Sequence, residues 1–203
     1  MRKYYKINRN YSLAARLMLG KSVGDKPQKF FLGGNSQMMI FSDTQTEGRD
    51  DSGFYAQRVL DYDNTSILED VYFSEYVFPL RGARYRERVG ENVAVANFEF
   101  RFPFVNYVDV SFPARIRFGN IFGHLFVDVG AAWDSSEEFD NSELVRNKYG
   151  LSDPKASPIL TTFGIGTKIF TPFALIRIDT AWDKYPSGGY SKPQYIISFG
   201  YDW

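Results

Sequence analysis

The last residues of the chain, Pro193-Gln194-Tyr195-Ile196-Ile197-Ser198-Phe199-Gly200-Tyr201-Asp202-Trp203, decide the fold class. Odd positions carry Tyr195, Ile197, Phe199, Tyr201 and Trp203; even positions carry Gln194, Ile196, Ser198, Gly200 and Asp202. A period of two places alternate residues on opposite faces of a β-strand. This strand has one greasy, aromatic-tipped face and one small or polar face, with Ile196 the single mismatch.

The same alternation returns upstream. Residues 162–170 set Thr162, Gly164, Gly166 and Lys168 against Phe163, Ile165, Thr167 and Ile169. Residues 173–182 set Arg177, Asp179 and Ala181 against Ile176, Ile178, Thr180 and Trp182. Residues 124–133 set His124, Phe126, Asp128 and Gly130 against Leu125, Val127, Val129 and Trp133. Residues 94–102 set Val95, Asn97, Glu99 and Arg101 against Ala96, Phe98, Phe100 and Phe102. Residues 11–21 set Ser12, Ala14 and Arg16 against Leu13, Ala15, Leu17 and Leu19. Six strands are expected, with a partial one at residues 3–8.

Composition agrees. Aromatic residues are 18% of the 203-residue chain and Gly adds 17, a mixture suited to β-structure. The formal net charge is zero, so no basic footprint for nucleic acid exists. Cys is absent and His occurs once, which removes thiolate chemistry, disulfides and a His-based zinc site together. No apolar run reaches 18 residues, so no transmembrane helix is expected. The apolar stretch near the start contains Arg16 and no cleavage signal, and does not read as a signal peptide.

The connections alternate in length. Roughly 70 residues follow the first strand, 15 the second, 25 the third, two (Thr171-Pro172) the fourth and ten the fifth. Long loops outside and short turns in the periplasm are the habit of outer-membrane barrels. The expected fold is therefore all-β, an antiparallel transmembrane barrel whose small or charged face lines the lumen. Arg101, Lys168, Arg177 and Asp179 all fall on that face, where a Lys or Arg avoids the roughly 2–4 kcal/mol cost of facing lipid at the midplane. A soluble antiparallel sheet with one wet face is the alternative that periodicity leaves open. Six strands are too few to close a barrel, and an open edge does not survive in lipid. The chain is thus expected to be the C-terminal part of a larger barrel, spanning residues 1–203 with an extracellular insert loop at 24–91; otherwise it must close by oligomerising.

Three stretches go beyond pattern: Phe30-Phe31-Leu32-Gly33-Gly34 followed at a distance by Leu80-Arg81-Gly82; Ala94-Val95-Ala96-Asn97-Phe98-Glu99-Phe100-Arg101-Phe102-Pro103; and Phe126-Val127-Asp128-Val129-Gly130-Ala131-Ala132-Trp133. In this order, ahead of an aromatic C-terminal strand, they resemble the BamA/TamA family of outer-membrane assembly barrels, the bacterial surface antigen family. The likeness covers nearly the whole chain and implies the last six of that family's sixteen strands. It further implies that Arg81 and Gly82 lie on a loop folded back into the lumen, with Arg81 paired to Asp128 of the Phe-x-Asp-x-Gly motif (ending at Gly130) and near Glu99. A guanidinium fork suits two carboxylates. Tyr195, Phe199, Gly200, Tyr201 and Trp203 would form the C-terminal strand signal. Two features depart from the family: Ala83 stands where it has Phe or Tyr, a role Tyr85 would have to fill, and the 45 residues between Gly34 and Leu80 replace a few.

The resemblance implies a non-enzymatic protein of the bacterial outer membrane, without cofactor or metal, assisting insertion or translocation of outer-membrane proteins. Its implied partners are outer-membrane lipid, unfolded outer-membrane clients and periplasmic assembly factors, with no nucleic acid. The alternative is a passive barrel anchor or pore fused to an N-terminal propeller or peptidase-like domain. An enzyme with lumen carboxylates is a third class, but no nucleophile–base set stands out. His124 has no partner at ligand spacing and reads as a polar lumen residue. The acidic insert (Asp43, Asp50, Asp51, Asp61, Asp63, Asp70) lacks the spacing of a calcium loop and reads as solvated surface. Gly164-Ile165-Gly166 lies inside a strand and reads as a place of close packing.

Overall fold

Alternating apolar and polar residues dictate extended backbone, and extended backbone dominates the computed structural model. It describes residues 1–8, 10–34, 38–42, 77–84, 87–110, 116–170 and 175–200. Within them the strands are β1 (Arg2–Lys6), β2 (Ser12–Lys21), β3 (Phe30–Leu32), β4 (Met38–Ser42), β5 (Val77–Phe78), β6 (Arg88–Gly90), β7 (Asn92–Val110), β8 (Ile116–Trp133), β9 (Ile159–Phe170), β10 (Leu175–Lys184) and β11 (Gln194–Gly200). The main sheet runs β1-β2-β7-β8-β9-β10-β11-β4, antiparallel at every junction and, among the described residues, open at its two ends. A small second sheet, β5-β3-β6, is built wholly from the insert between β2 and β7.

The sheet differs from the six-strand expectation in three places. The partial strand near the start is a full one: β1 pairs with β2 from Arg2 opposite Arg16 to Lys6 opposite Ser12. Pro103 hides the true length of β7. Proline cannot donate to a ladder and breaks the apolar alternation, so periodicity stops at Phe102. The strand nevertheless runs on to Val110, with the register to β8 shifting between Pro103 and Val105. Strand β8 also begins at Ile116, ahead of the residue 124 at which the alternation starts, and the two extensions together shrink the second connection from about 15 residues to residues 111–115. Finally, the insert contributes β3 to β6 rather than being loop alone. The tight turn read at Thr171-Pro172 lies outside the described residues.

The two faces of the main sheet are inverted relative to a water-soluble protein. The inner face buries charge: Glu99, Asp128, Lys168, Arg177 and Asp179 are all at most 3% exposed. The outer face shows Leu17, Leu19, Phe98, Leu125, Val127, Ile165, Ile178 and Tyr195 to the surroundings, between 40% and 70% exposed. Ile196, the mismatch in the last strand, sits inside with Phe126 and Ala181. Gly166 lets His124 and Asp179 lie against β9, since a Cβ there would meet Asp179 Oδ1 at 2.1 Å.

The insert packs back onto this inner face. Leu32 and Leu80 join Val93, Val95, Ala132 and Leu160 in the largest apolar cluster among the described residues. Residues 134–158 carry a 3-10 turn (Ser136–Phe139) and a helix, α1 (Ser142–Tyr149), capped by Asn141 Oδ1 accepting from the Glu143 N–H. Sequence periodicity shows no sign of this helix, since eight residues are barely two turns.

A sheet with an apolar outer face and unpaired edges aggregates in water. Residues 1–203 expressed alone are expected to need detergent or refolding into lipid. A monodisperse, cooperatively melting monomer in plain buffer would overturn the membrane-wall reading.

Candidate functional site

The site begins with a tight turn. The Ala83 N–H donates to the Leu80 carbonyl at 3.3 Å, closing Leu80-Arg81-Gly82-Ala83. Gly82, third in the turn, has φ +80°, which turns of this kind reserve for Gly. The turn is fastened to the residues after β3: the Leu80 N–H donates to the Gly34 carbonyl at 2.9 Å, and the Gly34 N–H to the Ala83 carbonyl at 3.2 Å. The Phe-Leu-Gly-Gly segment and the Leu-Arg-Gly segment are thus one structural unit, despite the 45 residues between them.

The turn points Arg81 into the inner face, where it is 4% exposed. Its Nε donates to Asp128 Oδ2 at 2.8 Å and its Nη2 to Asp128 Oδ1 at 2.9 Å. Its Nη1 donates to Glu99 Oε2 at 3.0 Å. The guanidinium carbon also lies 3.8 Å from the centre of the Phe126 ring. A planar fork with five N–H groups presents in-plane donors to two carboxylates while its flat face covers the ring, a geometry that a tetrahedral ammonium does not reproduce. Strand register explains the spacing: Asn97 stands opposite Asp128 and Glu99 opposite Phe126, so the two carboxylates lie one inward position apart across β7 and β8.

Space for the turn comes from Gly. A Cβ on Gly130 would meet Leu32 Cδ1 at 2.9 Å and Leu80 Cδ1 at 3.3 Å. The Asp128-Val129-Gly130 run therefore supplies the anion for Arg81 and, two residues on, the hollow that takes the leucines beside it. A Cβ on Gly82 would meet the Ala181 Cβ at 2.7 Å.

Charge around this pair extends further than sequence spacing implies. Glu99 Oε1 also accepts from Arg101 Nε at 2.6 Å and from Lys168 Nζ. Arg16 Nε donates to Asn97 Oδ1 at 3.0 Å. His124 lies on the inner face with a partner that its spacing along the chain does not show. It is fully buried with its Nε2 2.9 Å from Asp179 Oδ1, and Arg177 Nε lies 3.1 Å from Asp179 Oδ2. Spacing along the chain hides this partner because it sits on β10, which is not even β8's neighbour; the small Gly166 of β9 lets the two meet. A shared inward parity is the available signal for all of these contacts, but parity without register does not pair residues.

In the C-terminal strand, Tyr195 is exposed on the outer face, Phe199 is half-buried and Gly200 ends β11 opposite Leu175. Tyr201, Trp203, Tyr85 and the insert's Asp43, Asp50, Asp51, Asp61, Asp63 and Asp70 lie outside the described residues. Among the described residues no group of His, Asp and Glu could hold a metal ion.

The connection after β8 is held by its own polar cluster. Tyr149 Oη donates to the Val89 carbonyl at 2.7 Å and accepts from the Val89 N–H at 3.1 Å, stitching α1 to β6. Lys148 Nζ donates to both carboxylate oxygens of Glu138, at 3.0 and 3.1 Å, and lies 2.9 Å from Asp134 Oδ2. Burial works against the Lys148 ammonium, but Tyr149, Asp134 and Glu138 outweigh it and raise its pKa above the ordinary 10.5. Burial pushes the Tyr149 phenol above its ordinary 10.0. Groups whose pKa is raised on folding stabilise below their unfolded values and cease to do so as pH climbs through the folded ones. Resistance of residues 134–158 to a protease active in alkali is expected to hold from neutral pH to about 10 and to fall above it. Resistance unchanged to about pH 12 would show that neither group anchors the connection.

The model of the Omp85 superfamily domain matches residues 1–202. No curated protein and no solved structure gives a match. With the family model spanning almost the whole chain, this protein belongs to the Omp85 superfamily, whose members are outer-membrane barrels of protein insertion and translocation.

Proposed function

We propose that residues 1–203 form the C-terminal part of a sixteen-strand outer-membrane barrel of the BamA/TamA type, which assists the insertion or translocation of other outer-membrane proteins without catalysing a reaction. The observation that carries this is the inverted sheet: charged residues buried on one face, aliphatic and aromatic residues exposed on the other. Lipid as the outer solvent rewards that arrangement, whereas water penalises it. Strands β1, β2 and β7 to β11 make the wall, and the arginine turn latches the 24–91 connection inside it. In such a barrel the C-terminal strand forms one side of a seam where a client strand pairs by its backbone. Outer-membrane lipid, unfolded clients and periplasmic assembly factors are the partners this reading requires.

Topology tests the wall. Cys introduced at Asp50 and at Ser142 is expected to react with an impermeant maleimide on intact cells, because both connections lie at the outer end. Labelling of both only after lysis would reverse the assignment. Depletion of the protein tests the activity: newly made outer-membrane barrels are expected to accumulate unfolded. A passive anchor or pore would share the topology and leave client folding untouched.

A further inference from the structure

The edge of β11 away from β10 is not bare. Strand β4, from the insert, pairs with it antiparallel, setting Phe199 opposite Met38, Ser198 opposite Met39, Ile197 opposite Phe41 and Ile196 opposite Ser42. A register shift between Ile197 and Ser198 breaks this ladder. On its other side β11 pairs with β10 over seven unbroken positions, from Leu175 opposite Gly200 to Ala181 opposite Gln194. The β4 side, with four positions and a shift, is the weaker of the two. An uncovered strand edge recruits other strands, and covering it with a piece of the same chain is one way to prevent that. The covering segment, Met-Met-Ile-Phe-Ser, is apolar up to its final Ser and opens on two Met, the most adaptable of apolar residues.

The tether matters as much as the pairing. Only residues 35–37 separate β4 from Gly34, which is bonded to the arginine turn. The step from Gly34 to Met38 spans at most about 14 Å fully extended. Docking of Arg81 therefore keeps β4 within reach of β11 and raises its effective concentration there.

We propose that residues 38–42 are a resident strand on the β11 edge, an internal stand-in for a client strand that must leave before a client can pair there, with the arginine turn holding it in reach. The inference rests on the seam function proposed above. A short, bulged ladder fits that role, because it shields the edge at rest and yields to a longer partner in uninterrupted register.

Disulfide trapping tests it, since the chain has no Cys of its own. Opposed residues of an antiparallel pair have Cα atoms about 4.5–5.5 Å apart, within disulfide range. The whole protein carrying Ser42→Cys and Ile196→Cys, in outer membranes, is expected to cross-link on mild oxidation. The mismatched pair Ser42→Cys and Phe199→Cys should not. Thr180→Cys with Tyr195→Cys, opposed across β10 and β11, reports that the wall has formed. Oxidised Ser42→Cys/Ile196→Cys protein is expected to lose the ability to bring new outer-membrane barrels to a protease-resistant form, and reductant to restore it. Adding Arg81→Ala is expected to lower the yield of the 42–196 cross-link. Failure of the 42–196 pair while the 180–195 pair cross-links overturns the resident strand and leaves the proposed function standing. Cross-linked protein that assembles clients at the unmodified rate leaves the pairing in place but overturns both the gating and the seam function.

Discussion

Arg81→Ala is expected to release the 24–91 connection from the inner face, seen as faster protease cleavage between Gly82 and Gly90 in the membrane-embedded protein. The size of the effect depends on solvent. Breaking a desolvated ion pair by removing one partner costs about 3–5 kcal/mol, whereas a wet pair contributes only about 0–1 kcal/mol. The Arg81 side chain is 5% exposed and those of Asp128 and Glu99 are fully buried, which places the pair in the first regime. Glu99 keeps Arg101 and Lys168 when Arg81 is lost, so the deficit falls on Asp128. The low end, about 3 kcal/mol, is therefore the expected cost. Arg81→Lys should recover only part of it, because the lysine stem is shorter and its ammonium is a point charge with tetrahedral donors, which does not reproduce the in-plane fork that holds Asp128 and Glu99 together here. Asp128→Asn should loosen the same connection, and combining it with Arg81→Ala should add little beyond the larger single effect. Fully additive losses would mean that the two groups act independently, and the latch would have to be abandoned.

The parts of this site that the sequence displays are the ones that depend on local period. Inward parity of Glu99, Asp128, Lys168, Arg177 and Asp179 follows from counting by twos, and in the structure all five are buried. What counting by twos cannot supply is register. Lys168 meets Glu99 across the width of β8, and His124 meets Asp179 across β9; both contacts need the ladder offsets between neighbouring strands, which a period of two does not carry. The insert is the least legible region. Its β3 is three residues long and its β5 two, too short for any period to show, and both are ordered by packing onto the sheet instead of by their own pattern. The Ala83 departure from the family's aromatic also finds a physical setting: Ala83 is 1% exposed within the cluster of Leu32, Leu80 and Val95, where a larger side chain would have to displace those neighbours.

Gly82→Ala tests the latch from the steric side and is expected to lift the turn without touching a charge. Two costs combine. The residue has φ +80°, and a side chain in the left-handed region costs roughly 1–2 kcal/mol. The new Cβ would also lie 2.7 Å from the Cβ of Ala181. Ala181 is completely buried and is held from both sides, opposite Gly164 on β9 and Gln194 on β11, so it cannot retreat. Overpacking of this kind costs about 1–3 kcal/mol. The sum, about 2–5 kcal/mol, rivals the loss of the arginine itself. The two contributions separate in a second variant. Ala181→Gly removes the colliding methyl, so Gly82→Ala in that background should retain the backbone penalty and lose the steric one, giving slower cleavage between Gly82 and Gly90 than Gly82→Ala alone. Ala181→Gly by itself should cost about 0.5–1 kcal/mol for a glycine in a strand. Cleavage in the double variant as fast as the two single effects predict when added would show that the turn does not rest on β10, and Arg81 would then have to reach Asp128 from some other position.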